Sequence, residues 1–391
     1  MAGLIIKPRS RIFHGHDWVY SSEIKKTFGN PEPGQVVSLK DYKDRSLGSA
    51  IYNPQSQIVA RRFSRRKQKL DAEFFYKRIK RSINCRELDP SIDVTLSRLV
   101  WSESDGLPGL IIDRYEDHLV IQTLTLGMDL RINEITEAIK KLFKPKSIIV
   151  RNDSPIRAAE GLKMETHIIE GSPPEAIQIE YLNIPFSINL LSGQKTGLYL
   201  DQLNNYKLVG ELACNKRVLD CFTNQGGFAM SCLLNGAIET TGIDISETAI
   251  KSSEVNSSKI NNNNSKWIKG NVFDLLKSFD SENHKYDMII LDPPSFTKNK
   301  KSISDAMRGY KEIHLRSLKL LEPGGILTTF SCSHHISSKI FLDMIRDASN
   351  DAKKSLRIIH QYRQRSDHPI SLGIPESSYL KGYSLEVVAS W

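Results

Sequence analysis

Cysteine is scarce in this chain of 391 residues: there are five, an odd number, and none sits in a Cys-x-x-Cys pair. Neither a disulfide framework nor a paired-cysteine zinc site is indicated, and no metal is expected. Long apolar runs are also missing. No stretch would span a bilayer, and the opening Met1–Lys7 is too short an apolar run for a secretory signal. The expected compartment is therefore the cytoplasm, with no membrane partner. Acidic residues are outnumbered, 45 against 54 Lys and Arg, for a formal net charge of +9. That balance suits a polyanionic partner, although many basic proteins bind none, so the placement of the charge matters more than its sum. There is no internal repeat. A composition of 39% hydrophobic and 25% charged residues is that of an ordinary soluble chain, long enough for two or three domains.

The first 70 residues alternate short strand-like runs with turn signals. Val36–Leu39, Ser49–Tyr52 and Ile58–Ala60 are separated by Pro31, Pro33, Gly34, Asn53 and Pro54, the pattern of a small β-barrel-like module. Arg9, Arg11, His14, His16 and Trp18 lie at its start; Arg61, Arg62, Arg65, Arg66, Lys67 and Lys69, with Phe63 among them, lie at its end. Basic side chains interleaved with aromatics fit phosphate neutralisation and base stacking. An isolated charge run is more often a solvated linker. Residues 71–190 predict a helix over Asp71–Asn84 and a hairpin of Leu110–Ile112 with Leu119–Gln122. A second helix is expected within Leu130–Phe143, with strands at Ser147–Val150 and His167–Ile169. This reads as an α+β domain without chemistry of its own. The Asn261–Asn264 run reads as a surface loop.

In the carboxy-terminal half strands and helices alternate, as in a parallel sheet with crossover helices. Arg217–Asp220 reads as a strand and Phe228–Asn235 as a helix ending at Gly236. Between them Gly226 and Gly227 would let backbone approach a ligand at a helix N-terminus. Neither Gly-x-Gly-x-x-Gly nor a Walker lysine is present, which favours a smaller cofactor over a pyrophosphate. Asp244, about 20 residues beyond that loop, is placed to accept both ribose hydroxyls. Asn271 could bond an adenine edge, with Val272 against its face. Three such residues at successive strand ends favour an adenosine-containing cofactor. Tyr286–Leu291 is a buried strand that delivers Asp292, and Pro293 and Pro294 then fix a rigid loop lacking two backbone donors.

Gly325–Phe330, punctuated by Pro323 and Gly324, reads as another buried strand. Ser337 or Ser338 then caps an amphipathic helix carrying Ile340, Phe341, Met344 and Ile345. Cys332 thus stands at a strand's carboxyl end, just ahead of a helix N-terminus. Ligands bind at that edge of open α/β sheets, and a helix N-terminus favours thiolate. A free cysteine is more commonly a small buried hydrophobe, so position alone leaves both readings open.

Together these residues resemble the bacterial family of S-adenosylmethionine-dependent 23S rRNA cytosine-5 methyltransferases with an N-terminal PUA domain. The resemblance runs nearly end to end, through Arg9–Val19, Glu103–Leu110, Lys195–Gln202, Asp220–Phe228, Asp292–Phe296, Arg308–Lys311, Phe330–Ser333, Asp367–Pro369 and Tyr379–Gly382. It implies an α/β chain in three parts. These are a small β-rich PUA-like RNA-binding domain (1–70), a central α+β domain (71–190) and a class I methyltransferase domain (191–391). The last is Rossmann-like, with a seven-stranded sheet whose last strand, suited by Tyr383–Val388, runs antiparallel. The implied cofactor is S-adenosylmethionine, held by Lys195, Tyr199, Asp201, Gln202, Asp220, Phe222, Asp244, Asn271 and Asp292. The implied nucleophile is Cys332 and the implied partner is RNA, with a homodimer possible. The chain departs from the pattern at Asn271, where an acid is more usual, and at Leu203 and Tyr206, where arginines are frequent. His334-His335 also replaces smaller residues.

The chemistry accounts for these residue types. C5 of cytosine is a weak nucleophile until a thiolate adds at C6. Asp292 would hydrogen-bond or protonate N3 of the adduct. Where many RNA cytosine-5 methyltransferases place a second cysteine this chain has Ser295, so a single-cysteine mechanism is expected. His334, His335 and His368 are candidates for the final base. Two alternatives stay open: a same-fold methyltransferase acting on an exocyclic amine, for which an aromatic is expected at Ser295, and a non-catalytic RNA-binding assembly protein.

Overall fold

The computed structural model describes residues 2–193, 195–260, 262–296 and 303–391. Asn261 of the expected surface loop lies outside them. By internal packing the chain forms two compact units. The first runs from the N-terminus to Ile177 and adds Ile188–Asp201 and Ser366–Ser377; the second comprises Gln178–Ser187, Gln202–Arg365 and Ser378–Trp391. Among the described residues no helix is long and apolar enough to cross a membrane.

The first unit holds two sheets. Strands β1 (Gly3–Ile6), β2 (Trp18–Val19), β3 (Ile24–Phe28), β4 (Val36–Lys40), β5 (Ser46–Tyr52) and β6 (Ala60–Ser64) form a six-stranded sheet in the order β2-β6-β5-β4-β1-β3. Leu4, Ile6, Val37, Leu39 and Ala50 fill its core. The last strand starts at Ala60, two residues later than Ile58–Ala60 suggested, because Pro54–Ser56 first closes a turn on Asn53. Next comes α1 (Ala72–Glu87), capped by Asp71, whose side chain accepts from the Phe74 N–H. Strands β7 (Leu96–Trp101), β8 (Leu110–Tyr115), β9 (His118–Thr123), β10 (Ser147–Asn152) and β11 (Glu165–Gly171) form a five-stranded sheet, with α2 (Leu126–Asp129) and α3 (Ile132–Leu142) inserted after β9. Helices α1 and α3 pack on it through Phe75, Ile79, Ile135 and Ile139.

Buried charge is concentrated in that second sheet. Arg98 and Asp113 form a two-toothed pair with both N–O distances 2.7 Å. Asp113 also accepts from Thr196 Oγ1 at 2.6 Å. Tyr115 sits beside it, its hydroxyl 2.9 Å from Thr196 Oγ1 and accepting from the Leu198 N–H at 3.1 Å.

The second unit opens with the hairpin β12 (Ile177–Tyr181) and β13 (Ile184–Ile188), which turns at Leu182 and Asn183, both left-handed with φ of 52° and 62°. That is the hairpin turn type whose twist matches its strands. Helix α4 (Leu203–Gly210) leads into an alternating series. It runs β14 (Arg217–Cys221), α5 (Gly227–Leu234), β15 (Glu239–Asp244), α6 (Glu247–Ser257), β16 (Ser265–Lys269), α7 (Val272–Ser281) and β17 (Tyr286–Leu291). It continues through α8 (Ile303–Lys319), β18 (Leu321–Ser331), α9 (Ser338–Asp351), β19 (Lys354–Arg363) and β20 (Lys381–Ser390). The seven strands order as β16-β15-β14-β17-β18-β20-β19. The first five run parallel, and β20 runs antiparallel to both its neighbours. This is the class I methyltransferase fold that the sequence led us to expect. Helix α9 is capped by Ser337, and Phe341, Met344 and Ile345 are buried, while Ile340 is exposed.

The Arg98–Asp113 pair supplies a stability test. Asp113 is 0% and Arg98 7% exposed. Asp113→Ala strands a buried guanidinium and should cost about 3–5 kcal/mol. Thr196→Val, which removes the hydroxyl bonded to both Asp113 and Tyr115, should cost about 2 kcal/mol. Urea unfolding of both variants checks the order.

Candidate active site

In the second unit the strand order reverses between β14 and β17. Helix α5 carries the chain from β14 to β15 on one side, and β17 returns on the other. Such a reversal opens a crevice at the carboxyl ends of the strands. Four groups meet that edge: Asp220 near the end of β14, Asp244 ending β15, Asp292 following β17 and Cys332 following β18.

Asp220 is fully buried. Its Oδ2 accepts from Thr223 Oγ1 at 2.6 Å and from the Ala229 N–H at 3.1 Å. Its Oδ1, equally buried, has no hydrogen-bond partner among the described residues. Burial pushes the carboxyl up to about 7, the charges of Asp292 and Asp244 push the same way, and the two hydrogen bonds resist. An unsatisfied buried oxygen beside two further carboxylates fits a ligand that brings positive charge and N–H donors. The sulfonium and ammonium groups of S-adenosylmethionine meet that requirement.

Asp244 is half-buried and already accepts from the Asn224 N–H at 3.0 Å and the Ser246 N–H at 2.9 Å. It joins two loops and keeps lone pairs for ribose hydroxyls. Asn271 is exposed and caps α7, its Oδ1 accepting from the Phe273 N–H at 2.9 Å. The carbonyl oxygen therefore has a structural duty and the amide nitrogen remains as donor. Phe222 is half-buried against the core with a left-handed φ of 66°. Gly226 and Gly227 are buried, and a Cβ on them would lie 2.7 Å from the Trp267 ring and 2.6 Å from the Tyr206 ring. Their missing side chains make room for aromatic packing, a role the sequence reading did not assign. Leu203 and Tyr206 are buried core residues, in keeping with their lack of charge.

Gln202 is buried, donates to Asp292 Oδ2 at 2.9 Å and accepts from Asn205 Nδ2 at 2.6 Å. Lys195, Tyr199 and Asp201 belong to the first unit. There the Lys195 ammonium lies 3.0 Å from both Asp201 oxygens and 4.0 Å from the centre of the Tyr199 ring. The residues holding this segment went unnoticed in the sequence. They are Asp113 and Tyr115 on β8, and Arg151 on β10, which donates to the carbonyls of Leu190 at 2.9 Å and Gly193 at 2.7 Å. No local pattern marks them, because each is recognised only through a distant partner.

Cys332 is half-buried. The loop after Asp292 is tied to its turn, Ser295 Oγ lying 2.9 Å from Ser333 Oγ. Tyr310 OH lies 3.3 Å from both Ser331 Oγ and Ser333 Oγ. Lys381 Nζ donates to the Ser333 carbonyl at 2.8 Å. Tyr310 lies within Arg308–Lys311 and Lys381 within Tyr379–Gly382, yet no local pattern marks either side chain for this turn. Of the three candidate histidines, His334 and His335 are exposed on this turn. His368 belongs to the first unit, buried with Nδ1 2.7 Å from Asp367 Oδ1. Asp367 in turn accepts from the Arg98 N–H at 3.0 Å. His368 thus anchors the central sheet of that unit.

The basic run of the first unit divides. Arg61 pairs with Glu103 at 2.7 Å, and Arg62, buried, pairs with Asp17 at 2.7 Å. Phe63 is buried against Phe74, so it has no face for a base. Trp18 donates to Glu103 at 2.8 Å and stacks under Arg61. Arg65, Arg66, Lys67 and Lys69 are exposed. Arg65 and Arg66, with Arg78 and Arg81 of α1, line a cavity of about 700 Å³. Among the described residues Arg65, Arg66 and Arg81 make no side-chain ion pair. Arg78 is drawn below its ordinary pKa by burial and by the charge of Arg81. Its helix neighbour is thus a like charge crowding the same hollow.

The chain matches two family models: an S-adenosylmethionine-dependent methyltransferase over residues 162–370 and a PUA-like domain over residues 6–65. Relatives named ribosomal RNA large subunit methyltransferase I span almost the whole chain. That of Tolumonas auensis is 39% identical, covering 95% of this chain and 96% of its own. That of Aeromonas salmonicida is 38% identical, covering 97% of each. A solved Streptococcus mutans structure, whose name places it among SAM-dependent methyltransferases, is 22% identical with a TM-score of 0.84, covering 99% of this chain and 100% of its own. Another solved chain, complexed with SAH, is 23% identical with a TM-score of 0.85 over the same shares. These two likenesses speak for the fold. Nothing in the comparisons supports a homodimer. The chain belongs to the S-adenosylmethionine-dependent methyltransferase family and carries a PUA-like domain ahead of the residues that match it.

Proposed function

We propose that this enzyme methylates C5 of a cytosine in large-subunit ribosomal RNA, 23S rRNA, through a covalent adduct with Cys332. The observation that carries the reading is the Ser295–Ser333 bond of 2.9 Å, which ties the Asp292 loop to the Cys332 turn on adjacent parallel strands. A carboxyl and a thiol so paired match the two atoms of cytosine that need help, N3 and C6. The names of the relatives support large-subunit rRNA as the substrate. On this reading residues 1–70 form the RNA-binding module, 71–190 the central domain and 191–391 the methyltransferase domain.

Asp220, Asp244, Asn271, Phe222 and Gln202 would hold S-adenosylmethionine, with the backbone of Gly226 and Gly227 closing the loop against it and Asp292 bordering both sites. Lys195, Tyr199 and Asp201 are carried into the reading by their motif. When bound, the cofactor supplies an electrophilic methyl group. The chain's own residues do the rest. The Cys332 sulfur adds to C6, and electron density moves onto C5 and the N3 side of the ring. Asp292, in its protonated form, donates a hydrogen bond to N3 and stabilises that charge. Once C5 is methylated, transfer of its proton to a water molecule lets the sulfur leave as thiolate and restores the aromatic ring. Ser295 holds the place of a second thiol and helps instead by orienting Ser333, so one cysteine serves both addition and release. A paired target base would first be turned out of its helix. Arg65, Arg66, Arg78 and Arg81 gather the phosphodiester backbone of the RNA.

Cys332→Ala should lower methylation of 23S rRNA by at least about a thousandfold while leaving the S-adenosylmethionine affinity within about twofold. Nucleoside mass spectrometry and calorimetry read the two quantities, and full 5-methylcytosine formation in the variant would refute the adduct. The RNA surface has its own readout. Converting Arg65, Arg66 and Arg81 to Gln together should weaken RNA binding and flatten its log–log salt dependence by about 2, with cofactor binding unchanged.

Asp220 gives a pH-dependent test. Its proton is held up to about pH 7 in the folded chain against an ordinary value of 3.8. The folded state binds that proton more tightly. Its contribution to stability is therefore complete below pH 3.8 and is lost as pH rises through about 7. A bound cation favours the ionised carboxylate, so cofactor binding near neutral pH should release a proton. Calorimetry in two buffers of different ionisation enthalpy measures it. Asp220→Asn should abolish the release, and an undiminished release in that variant would remove Asp220 from the cofactor site.

A further inference from the structure

One cation of the catalytic unit has no part in the steps above. Lys381 opens β20, and its Cα stands opposite Ser331 in the antiparallel pairing with β18. The residue after Ser331 is Cys332. The Lys381 ammonium spans this turn and donates to the Ser333 carbonyl at 2.8 Å. It is half-buried, and among the described residues it makes no ion pair with a carboxylate. An ammonium that has lost part of its water to a neutral carbonyl is costly to hold unless an anion comes near.

We propose that Lys381 is a positioning residue for the nucleophile: its ammonium keeps the Cys332 sulfur as thiolate and fixes, through Ser333, the turn from which that sulfur attacks. The proposal rests on the reading of Cys332 as nucleophile. The bookkeeping of protons is simple. Cys332 gives its proton to solvent, and Lys381 keeps its own three. Burial brings the Lys381 ammonium down to about 8, and the charge of Cys332 pulls the other way. Lys381 is therefore protonated at neutral pH, where the thiolate needs it, and its help fades as pH passes about 8.

Among the described residues the other groups at the turn differ from Lys381 in charge or in attachment. Tyr310 on α8 is raised above its ordinary pKa by burial, with the charges of Cys332 and Asp292 adding to it, so it stays a neutral phenol. Asp292, beyond β17, is a carboxyl group and offers no cation. His334 and His335 are exposed residues of the turn itself, and His334 rests its ring against Tyr379. Lys381 is a cation whose side chain is pinned to the turn by a hydrogen bond.

The test uses the full-length protein and iodoacetamide, with alkylation of each cysteine followed by peptide mass spectrometry over about pH 5.5–9.5. Cys85 and Cys214 are free and exposed, and serve as references in the same molecule. Cys332 should titrate about one unit below them. Lys381→Gln keeps a donor for the Ser333 carbonyl and removes the charge. It should slow alkylation of Cys332 at neutral pH about tenfold and leave Cys85 and Cys214 unchanged. Lys381→Arg, which keeps the charge, should restore most of the rate. An unmoved Cys332 midpoint in Lys381→Gln overturns the proposal. So does an equal loss in Lys381→Arg, or a parallel shift at all three cysteines, either of which makes Lys381 merely structural. Alkylation reports on the sulfur rather than on methyl transfer. If Cys332→Ala retained full methylation, the nucleophile reading would fall while the titration still decided whether Lys381 governs the thiol.

Discussion

The second unit is organised by an unpaired oxygen. Asp220 lies near the strand end where the sheet changes direction, one carboxylate oxygen bonded twice and the other buried with no partner among the described residues. Leaving such an atom unsatisfied costs free energy in the ligand-free chain. The fold sustains that cost because the strand is fixed on both sides, Asp220 facing Gly242 on β15 and Ile290 on β17. Gly242 belongs to the same arrangement, since a Cβ there would meet Thr223 Oγ1 at 3.0 Å, the hydroxyl that donates to Asp220. The rigid parallel sheet thus stores an electrostatic demand that a cation answers.

The reacting edge is built by a different means. Pro293 and Pro294 take two backbone donors out of the loop after Asp292, so side chains must fix what backbone bonds cannot. Gln202 holds the carboxylate, Ser295 reaches Ser333, and Tyr310 bonds the serines on both sides of Cys332. Each of these links runs between elements far apart in sequence. The turn carrying the thiol is thus held by the hydroxyls of Ser295 and Tyr310 and by the Lys381 ammonium on the Ser333 carbonyl.

Much of this was legible in the residues, and the boundary of legibility is physical. The strands ending at Asp220, Asp244 and Asp292, and the helix capped by Ser337, follow from apolar periodicity and local turn chemistry, which act over a few residues. The β12–β13 hairpin escaped notice, since its turn uses Leu182-Asn183 where an Asn-Gly pair would have announced it. Charge was harder to read. Arg61 and Arg65 look alike in the chain, yet Arg61 is spent on Glu103, 42 positions away, and Arg65 faces the cavity. Phe63 sits in the basic run as a base-stacking ring would, but the Phe74 ring already covers it. His368 follows an aspartate like many catalytic histidines, and only the three-dimensional structure reveals the Arg98 backbone on the far side of that aspartate. A side chain's partner is a non-local fact, and with it goes the difference between a structural and a functional charge.

The central α+β region, silent in the sequence, is where this matters most. Lys195 adopts a left-handed φ of 49°, and Gly197 sits at a φ of 146°, where a Cβ would lie 2.7 Å from Ile188. A backbone held in such conformations springs back unless its surroundings over-determine it. The surroundings here are Asp113, Tyr115 and Arg151, buried polar groups that spend their hydrogen bonds on Thr196, Leu198, Leu190 and Gly193. Arg98 balances Asp113, so the hub carries no stranded charge. A buried ionic network of this kind adds little net stability over an apolar core. Its value is that it admits one geometry, and the geometry it admits is that of the segment bearing Lys195, Tyr199 and Asp201.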